Sequence, residues 1–378
     1  MGGPEIVPFY AGHVAKRAFA LARAGRDIIP MHFGQPSVGA PPAAIAEAHR
    51  MLDADTLGYW ESTALRERLA RHYQETYGIA VPAERILLTM GASAALTAAF
   101  VALFRPGDRI ALVRPGYPAY RNTLNALGLQ PVEIDCGADQ GFRLSPEALE
   151  DVKPAPAGLV LAGPANPTGA MYDRQQLAAI AEVCARRGIR LISDEIYHGI
   201  TYGKRAVCAL EVAPDALVVN SFSKLYRMPG WRLGWMVVPQ HLVARLDACL
   251  INMFLTPPAL AQHAALVALD EKQELQRSVE IYARNRERLI TRLPELGLEG
   301  FSAPDGAFYL YVDVGHLTRD SLAFCMQLVE ETGVSLAPGI DFDPVRGQRF
   351  VRLSFAVTTD EVERALERLQ EWLRKRRS

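Results

Sequence analysis

The sequence predicts an α/β protein: a mostly parallel sheet flanked by helices, joined to a smaller α+β domain. Three observations carry that prediction. Between about residue 62 and residue 238, short apolar runs alternate with helical segments, the order that builds crossover-linked parallel strands. In the C-terminal third the pattern changes to one long charged helix followed by strand-like and helical stretches. The chain has 378 residues, 49% of them hydrophobic, enough for one large core and a smaller one.

Taken in order, residues 1–38 read as an arm that leads into the Pro- and Gly-rich "FGQPSVGAPPAA". The arm is expected to pack with the C-terminal unit, so the expected division is 39–274 as a large domain and 1–38 plus 275–378 as a small one. "ALRERLARHYQETYG" has helical spacing, with Leu65, Leu69 and Tyr73 on its apolar side. "RILLTM" reads as a short strand, and "ASAALTAAFVALF" as a small-residue helix suited to close packing on a sheet. The strands "RIALV", "GLVLAG", "IRLISD", "ALVVNS" and "LGWMVV" follow, several separated by helices such as "DRQQLAAIAEVCARRG". "LGWMVV" comes too soon after "ALVVNS" for a helical crossover, which predicts an antiparallel neighbour. The last third holds the helix "QELQRSVEIYARNRERLITRLPELG", the strand-like "AFYLYVDV" and a helix near "DSLAFCMQLVEETG". The strand-like "RFVRLSF" and a final helix, "TTDEVERALERLQEWLRKR", complete it.

Composition excludes several functions. A formal net charge of −1 gives no electrostatic case for nucleic acid, and the basic ending "LRKRRS" suits a helix C-terminus. The five cysteines, Cys136, Cys184, Cys208, Cys249 and Cys325, show neither metal nor disulfide spacing, which fits a reduced cytoplasmic setting. The eight histidines also lack metal-ligand spacing, so no metal is assigned. No uncharged run is long enough to span a membrane, and the start lacks the apolar stretch of a signal peptide. No repeat or G-x-G-x-x-G phosphate loop is present.

In an open α/β sheet, ligands bind outside the carboxyl ends of the strands, so the residues after each strand sample the site. "RILLTM" is followed by Gly91, Ala92 and Ser93 at a helix start, and "RIALV" by "RPGYPAY" with Tyr117. "GLVLAG" leads to Asn166 of "NPTG", "IRLIS" to Asp194 and Tyr197 of "DEIY", and "ALVVN" to Ser221 and Lys224 of "SFSK". Arg232 lies eight residues past Lys224. Seen singly, each has a bland reading: a solvated loop lysine, a helix-capping aspartate, a turn asparagine. Together they suit one ligand. Helix-start amides, Ser93, Ser221 and Arg232 match a dianionic phosphate. Tyr117 offers a face for a flat ring, Asn166 and Tyr197 donors for a ring oxygen, Asp194 a partner for a protonated ring nitrogen, and Lys224 an amine for an aldehyde. Pyridoxal 5′-phosphate carries all of those groups.

The ordered set "NPTG", "SDEIY", "SFSKLYRMPGWRLGW" and "RFVRLSF" resembles the class I/II aminotransferases of pyridoxal-phosphate fold type I, and the resemblance runs from "GQPSVGAP" to the last helix. It implies a seven-stranded main sheet and a Schiff base between Lys224 and pyridoxal 5′-phosphate. It implies catalytic roles for Lys224, Asp194 and Tyr197, and cofactor contacts from Gly91, Ala92, Ser93, Tyr117, Asn166, Ser221 and Arg232. Gly34, Asn166 and Arg352 would hold the substrate, Arg352 through its α-carboxylate. Tyr59 matches a tyrosine that reaches the neighbouring subunit's phosphate, which implies a homodimer with shared sites; Thr256 matches such a role less well. The implied reaction moves an amino group from an L-amino acid to a 2-oxo acid by a ping-pong route. A carbon–sulfur β-lyase or an aminocyclopropane carboxylate synthase is the alternative on the same fold. No second cation for a dicarboxylate substrate is identifiable. Phe9, Tyr10, Phe33 and Ile340 are the residues expected to line a pocket for apolar or aromatic side chains.

Overall fold

The computed structural model describes residues 6–377. Its main sheet has seven strands, in the spatial order Ile86–Thr89, Gly234–Val237, Leu217–Ser221, Arg190–Asp194, Gly158–Ala162, Arg109–Arg114 and Gln130–Asp135. Only Gly234–Val237 runs against its neighbours. The reason is local. The connection from Ser221 to Gly234 carries one short turn, Pro229–Trp231, and no crossover helix, so the chain must double back. The bond from Phe222 N–H to the Leu233 carbonyl closes that return.

Side chains alternate between the two faces of the sheet. Leu88, Ala111, Leu159, Leu161 and Val218 join one core with Leu65, Leu69 and Tyr73 of the helix Thr63–Tyr77. Leu87, Ile110, Val160, Ile192 and Val219 join another with Ala95, Ala98 and Ala99 of the helix Ala92–Leu103. The edge strand Gln130–Asp135 is not among the apolar runs read from the sequence. Its "QPVEID" mixes polar and apolar residues and is mostly half-exposed, as an edge position allows.

The smaller α+β domain centres on an antiparallel sheet of Ala337–Pro338, Phe350–Ser354 and Tyr309–Asp313. The helices Lys272–Glu295, Ser321–Thr332 and Thr359–Arg377 accompany it. The arm helix Ala11–Arg23 contributes Val14, Ala18 and Leu21 to the same core as Leu289, Phe324, Leu328, Leu366 and Trp372. Ile29–Pro30 pairs in parallel with Val334–Ser335 and fixes the end of the arm. Among the described residues no helix is long and apolar enough to cross a membrane, and no His/Cys/Asp/Glu cluster could hold a metal ion.

Candidate active site

The carboxyl ends of the parallel strands open on a cavity of about 400 Å³. Gly34, Ala92, Ser93, Tyr117, Asn166, Asp194, Tyr197, Ser221, Lys224, Arg232 and Arg352 all line it. Gly91 stands just behind the wall, as the N-cap of Ala92–Leu103. Tyr59 is 83% exposed and, like the half-buried Thr256, does not line the cavity of its own chain. Of the four residues expected around a substrate side chain, Phe9 and Phe33 line the cavity, whereas Tyr10 and Ile340 do not.

One end of the cavity gathers groups that could hold an anion. The first amides of Ala92–Leu103 have no partner inside the helix and present its positive dipole end. Gly91 has φ 80°, and a Cβ there would lie 2.5 Å from Arg232 Nη2, so only glycine lets the guanidinium approach. Arg232 itself sits in the left-handed region at φ 55° and is braced by the Pro229 carbonyl, to which Nη1 donates at 2.8 Å. The Ser221 and Ser223 hydroxyls, 2.9 Å apart, line the same cavity.

Asp194, 2% exposed, ends its strand beneath the cavity. Tyr120 donates to Asp194 Oδ2 at 2.5 Å, and Ile196 N–H to Oδ1 at 3.3 Å. Burial pushes the carboxyl up to about 6, against the pull of those bonds and of the Lys224 charge. For Lys224, burial pushes the amine down to about 8, and the charges of Arg352 and Arg232 add to the effect. Its Nζ donates to the Gly34 carbonyl. Competitive labelling of the Lys224 amine in the cofactor-free protein should therefore half-titrate near pH 8. A midpoint at the ordinary lysine value of 10.5 would mean a solvated amine.

Arg352, 2% exposed, comes from the small domain. Its Nη1 donates to Asn166 Oδ1 at 3.0 Å and Nη2 to the His32 carbonyl at 2.7 Å, while the buried Nε has no partner. The guanidinium lies over the rings of Tyr309 and Phe342, 4.4 and 4.8 Å from their centres. Tyr309 also shares a 2.7 Å hydroxyl contact with Tyr197.

Tyr120, Tyr309 and His32 belong to the site but escaped the reading of the sequence. Tyr120 had a usable signal, because Pro118 opens a helix and a residue three past Tyr117 shares its face. Tyr309 and His32 had none, since each meets the site through contacts spanning more than a hundred residues of chain.

The model of the family described as aminotransferase class I and II matches residues 26–369. The chain is 43% identical, over 97% of both chains, to a valine–pyruvate aminotransferase of Mycobacterium tuberculosis. Among solved structures, an aminotransferase from M. tuberculosis superposes with a TM-score of 0.95 at 43% identity, covering 98% of this chain and 97% of that one. The aspartate aminotransferase of Thermus thermophilus with maleate gives 0.90 at 30% identity, covering 98% and 100%. With that kinship come the fold type I architecture and ping-pong aminotransferase chemistry on a lysine Schiff base. The chain belongs to the class I and II aminotransferase family.

Proposed function

We propose that this protein is a pyridoxal 5′-phosphate-dependent aminotransferase that moves the amino group of a neutral, apolar L-amino acid to a 2-oxo acid. The observation that carries this reading is the convergence of Lys224, Asp194 and Arg352 on one cavity. An amine, a buried acid and a guanidinium match the cofactor's aldehyde, its ring nitrogen and the substrate's carboxylate. The remaining donors fit as well. The Gly91 cradle, the Ala92 and Ser93 amides, Ser221 and Arg232 offer a phosphate site. The unpaired Nε of Arg352 is a buried donor that an α-carboxylate would satisfy.

Bound there, pyridoxal phosphate supplies an electron-poor ring that withdraws the electron pair left when the substrate Cα loses its proton. The protein residues do the rest. Asp194 would place a negative charge opposite the ring nitrogen and so favour its protonated form. Tyr197 and Asn166 would donate to the ring oxygen, and Tyr117 would cover a face. Arg352 fixes the substrate carboxylate, which sets the direction of the Cα–H bond. The Lys224 amine would take the proton from the substrate Cα. With its amine brought down to about 8, a useful fraction is unprotonated near neutral pH.

The substrate class follows from the charges. Lys224, Arg232 and Arg352 are the lysines and arginines that line the cavity among the described residues, and each already has a partner in the cofactor or the α-carboxylate. His32 is held neutral, because burial and Arg352 push it down to about 4. Among the described residues of this chain, a second substrate carboxylate would therefore meet Phe9, Ala11, Ala15 and Phe33 with no counter-charge. The similarity to a valine–pyruvate aminotransferase supports an aliphatic donor and pyruvate as acceptor. We further propose a cytoplasmic homodimer in which Tyr59 reaches the partner's phosphate. The exposed apolar residues Val38, Leu52, Trp60, Ile251 and Leu255, from the segments that lead to Tyr59 and Thr256 or adjoin them, favour such a face.

Single-turnover spectroscopy with a donor panel tests the reading. Valine, alanine and leucine should bleach the bound-cofactor band, with aspartate at least about tenfold slower. In Arg352→Ala the bleaching efficiency should fall by about 2–3 kcal/mol, roughly 30–150-fold, because the bidentate charge-assisted contact is lost. Release of pyruvate and ammonia from a sulfur amino acid without any acceptor would replace transfer by β-elimination.

A further inference from the structure

We propose that Asp341 is a positioning residue for substrate selection: it docks the head of the arm helix and thereby sets how far Phe9 stands from the substrate carboxylate site. The geometry stands by itself; the identity of the substrate rests on the aminotransferase reading.

The helix Ala11–Arg23 opens without a cap of its own. Its N-cap, Tyr10, makes no side-chain bond to the helix, and no acidic residue stands in the first turn. The cap comes instead from 330 residues away. Asp341 Oδ1 accepts the Tyr10 N–H at 2.7 Å, and Oδ2 accepts the Ala11 N–H at 2.8 Å, with the residue 3% exposed. On the other side of Phe9, Asn122 Nδ2 donates to the Val7 carbonyl at 3.1 Å. Phe9 is thus strung between two clamps, one from the large domain and one from the small. The ring itself is 45% exposed, so packing alone does little to hold it.

The turn that carries Asp341 also supports the carboxylate arginine. The next residue, Phe342, lays its ring 4.8 Å from the Arg352 guanidinium carbon. Its carbonyl accepts from Gly116 N–H at 3.0 Å, directly before Tyr117. The turn has no slack, since a Cβ at Gly339 would lie 2.4 Å from the Phe350 carbonyl oxygen. Phe9 and Arg352 are therefore referenced to one rigid point. The distance between them measures the side chain of a substrate whose carboxylate is on Arg352. Freeing the arm should blur that measure and leave the proton-transfer groups in place.

The test uses the holoenzyme in three forms: wild type, Asp341→Asn and Asn122→Ala. Hydrogen exchange at the Tyr10 and Ala11 amides reads the docking independently of activity, and should quicken by about tenfold or more in Asp341→Asn. Steady-state kinetics with alanine, 2-aminobutyrate, valine and leucine read the selection. We expect KM of the preferred donor to rise about 5–20-fold with kcat within about twofold, and the leucine-to-alanine ratio of kcat/KM to shift about fivefold or more. Asn122→Ala should shift that ratio in the same direction. Faster exchange with an unchanged ratio overturns selection, and unchanged exchange overturns docking. An equal fall of kcat for every donor would make the role one of general stability and also overturn it. A wild type that transfers no amino group from any donor defeats the functional reading, while the exchange result still judges the docking.

Discussion

Lys224→Ala should abolish amino transfer while leaving the fold intact. On the proposed mechanism the residue does two things that no neighbour can take over: attach to the cofactor aldehyde and carry a proton at the substrate Cα. The proton-transfer part alone is worth roughly 10²–10⁴-fold. Tyr197, the other candidate acid–base group at hand, is poorly suited, because burial and the contact with Tyr309 push its hydroxyl well above the ordinary value. The fold should not suffer. Lys224 contributes one bond to a backbone carbonyl, to Gly34, and the burial that lowers its pKa is unfavourable to the charged amine. The checks are turnover with a donor and a 2-oxo acid, the absorbance of the lysine-linked cofactor, and a thermal melt. Turnover at the wild-type level with that absorbance retained would remove Lys224 from the chemistry. An unfolded variant would instead show that the amine is structural.

Much of this site was legible in the sequence because the fold makes chain position a guide to spatial position. Each parallel strand delivers its next residues to the same edge of the sheet, so Ser93, Tyr117, Asn166, Asp194 and Lys224 can be collected from the residues just past each apolar run. The illegible parts share a different origin. Asp341 reaches Tyr10, Arg352 reaches His32, and Tyr197 reaches Tyr309, all across chain separations over which no periodicity runs. Their pairing depends on how the small domain sits over the sheet. The edge strand Gln130–Asp135 was hidden for another reason, since a strand covered on few sides does not need a run of apolar residues. Tyr10 was misjudged for a local one. Its backbone N–H is spent on Asp341, and its ring packs edge-on against His13, 5.9 Å between centres, outside the cavity lining.

Asp194→Asn should separate the cost of this site from its use. The substitution keeps the size of the side chain and an oxygen to accept from Tyr120, removes the charge, and gives up the longer bond accepted from Ile196 N–H. On the proposed mechanism, leaving a protonated ring nitrogen without its buried counter-charge costs about 3–5 kcal/mol, so kcat/KM should fall roughly 10²–10⁴-fold. In the cofactor-free protein the sign reverses. A carboxyl pushed by burial from 3.8 up to about 6 is one whose ionised form the fold disfavours, so it weakens the native state as pH rises through that range. The neutral asparagine escapes this, and the cofactor-free variant should melt higher than wild type at pH 7, by an amount on the order of 1–3 kcal/mol. Cofactor affinity supplies the third reading. The wild type should bind more weakly as pH falls through about 6, where Asp194 takes up a proton, and the variant should lack that step. A variant with undiminished kcat/KM and the same pH step would place the essential charge elsewhere. Loss of activity together with a gain in stability would mean that an acid is kept buried here, against the interest of the fold, for the ring it faces.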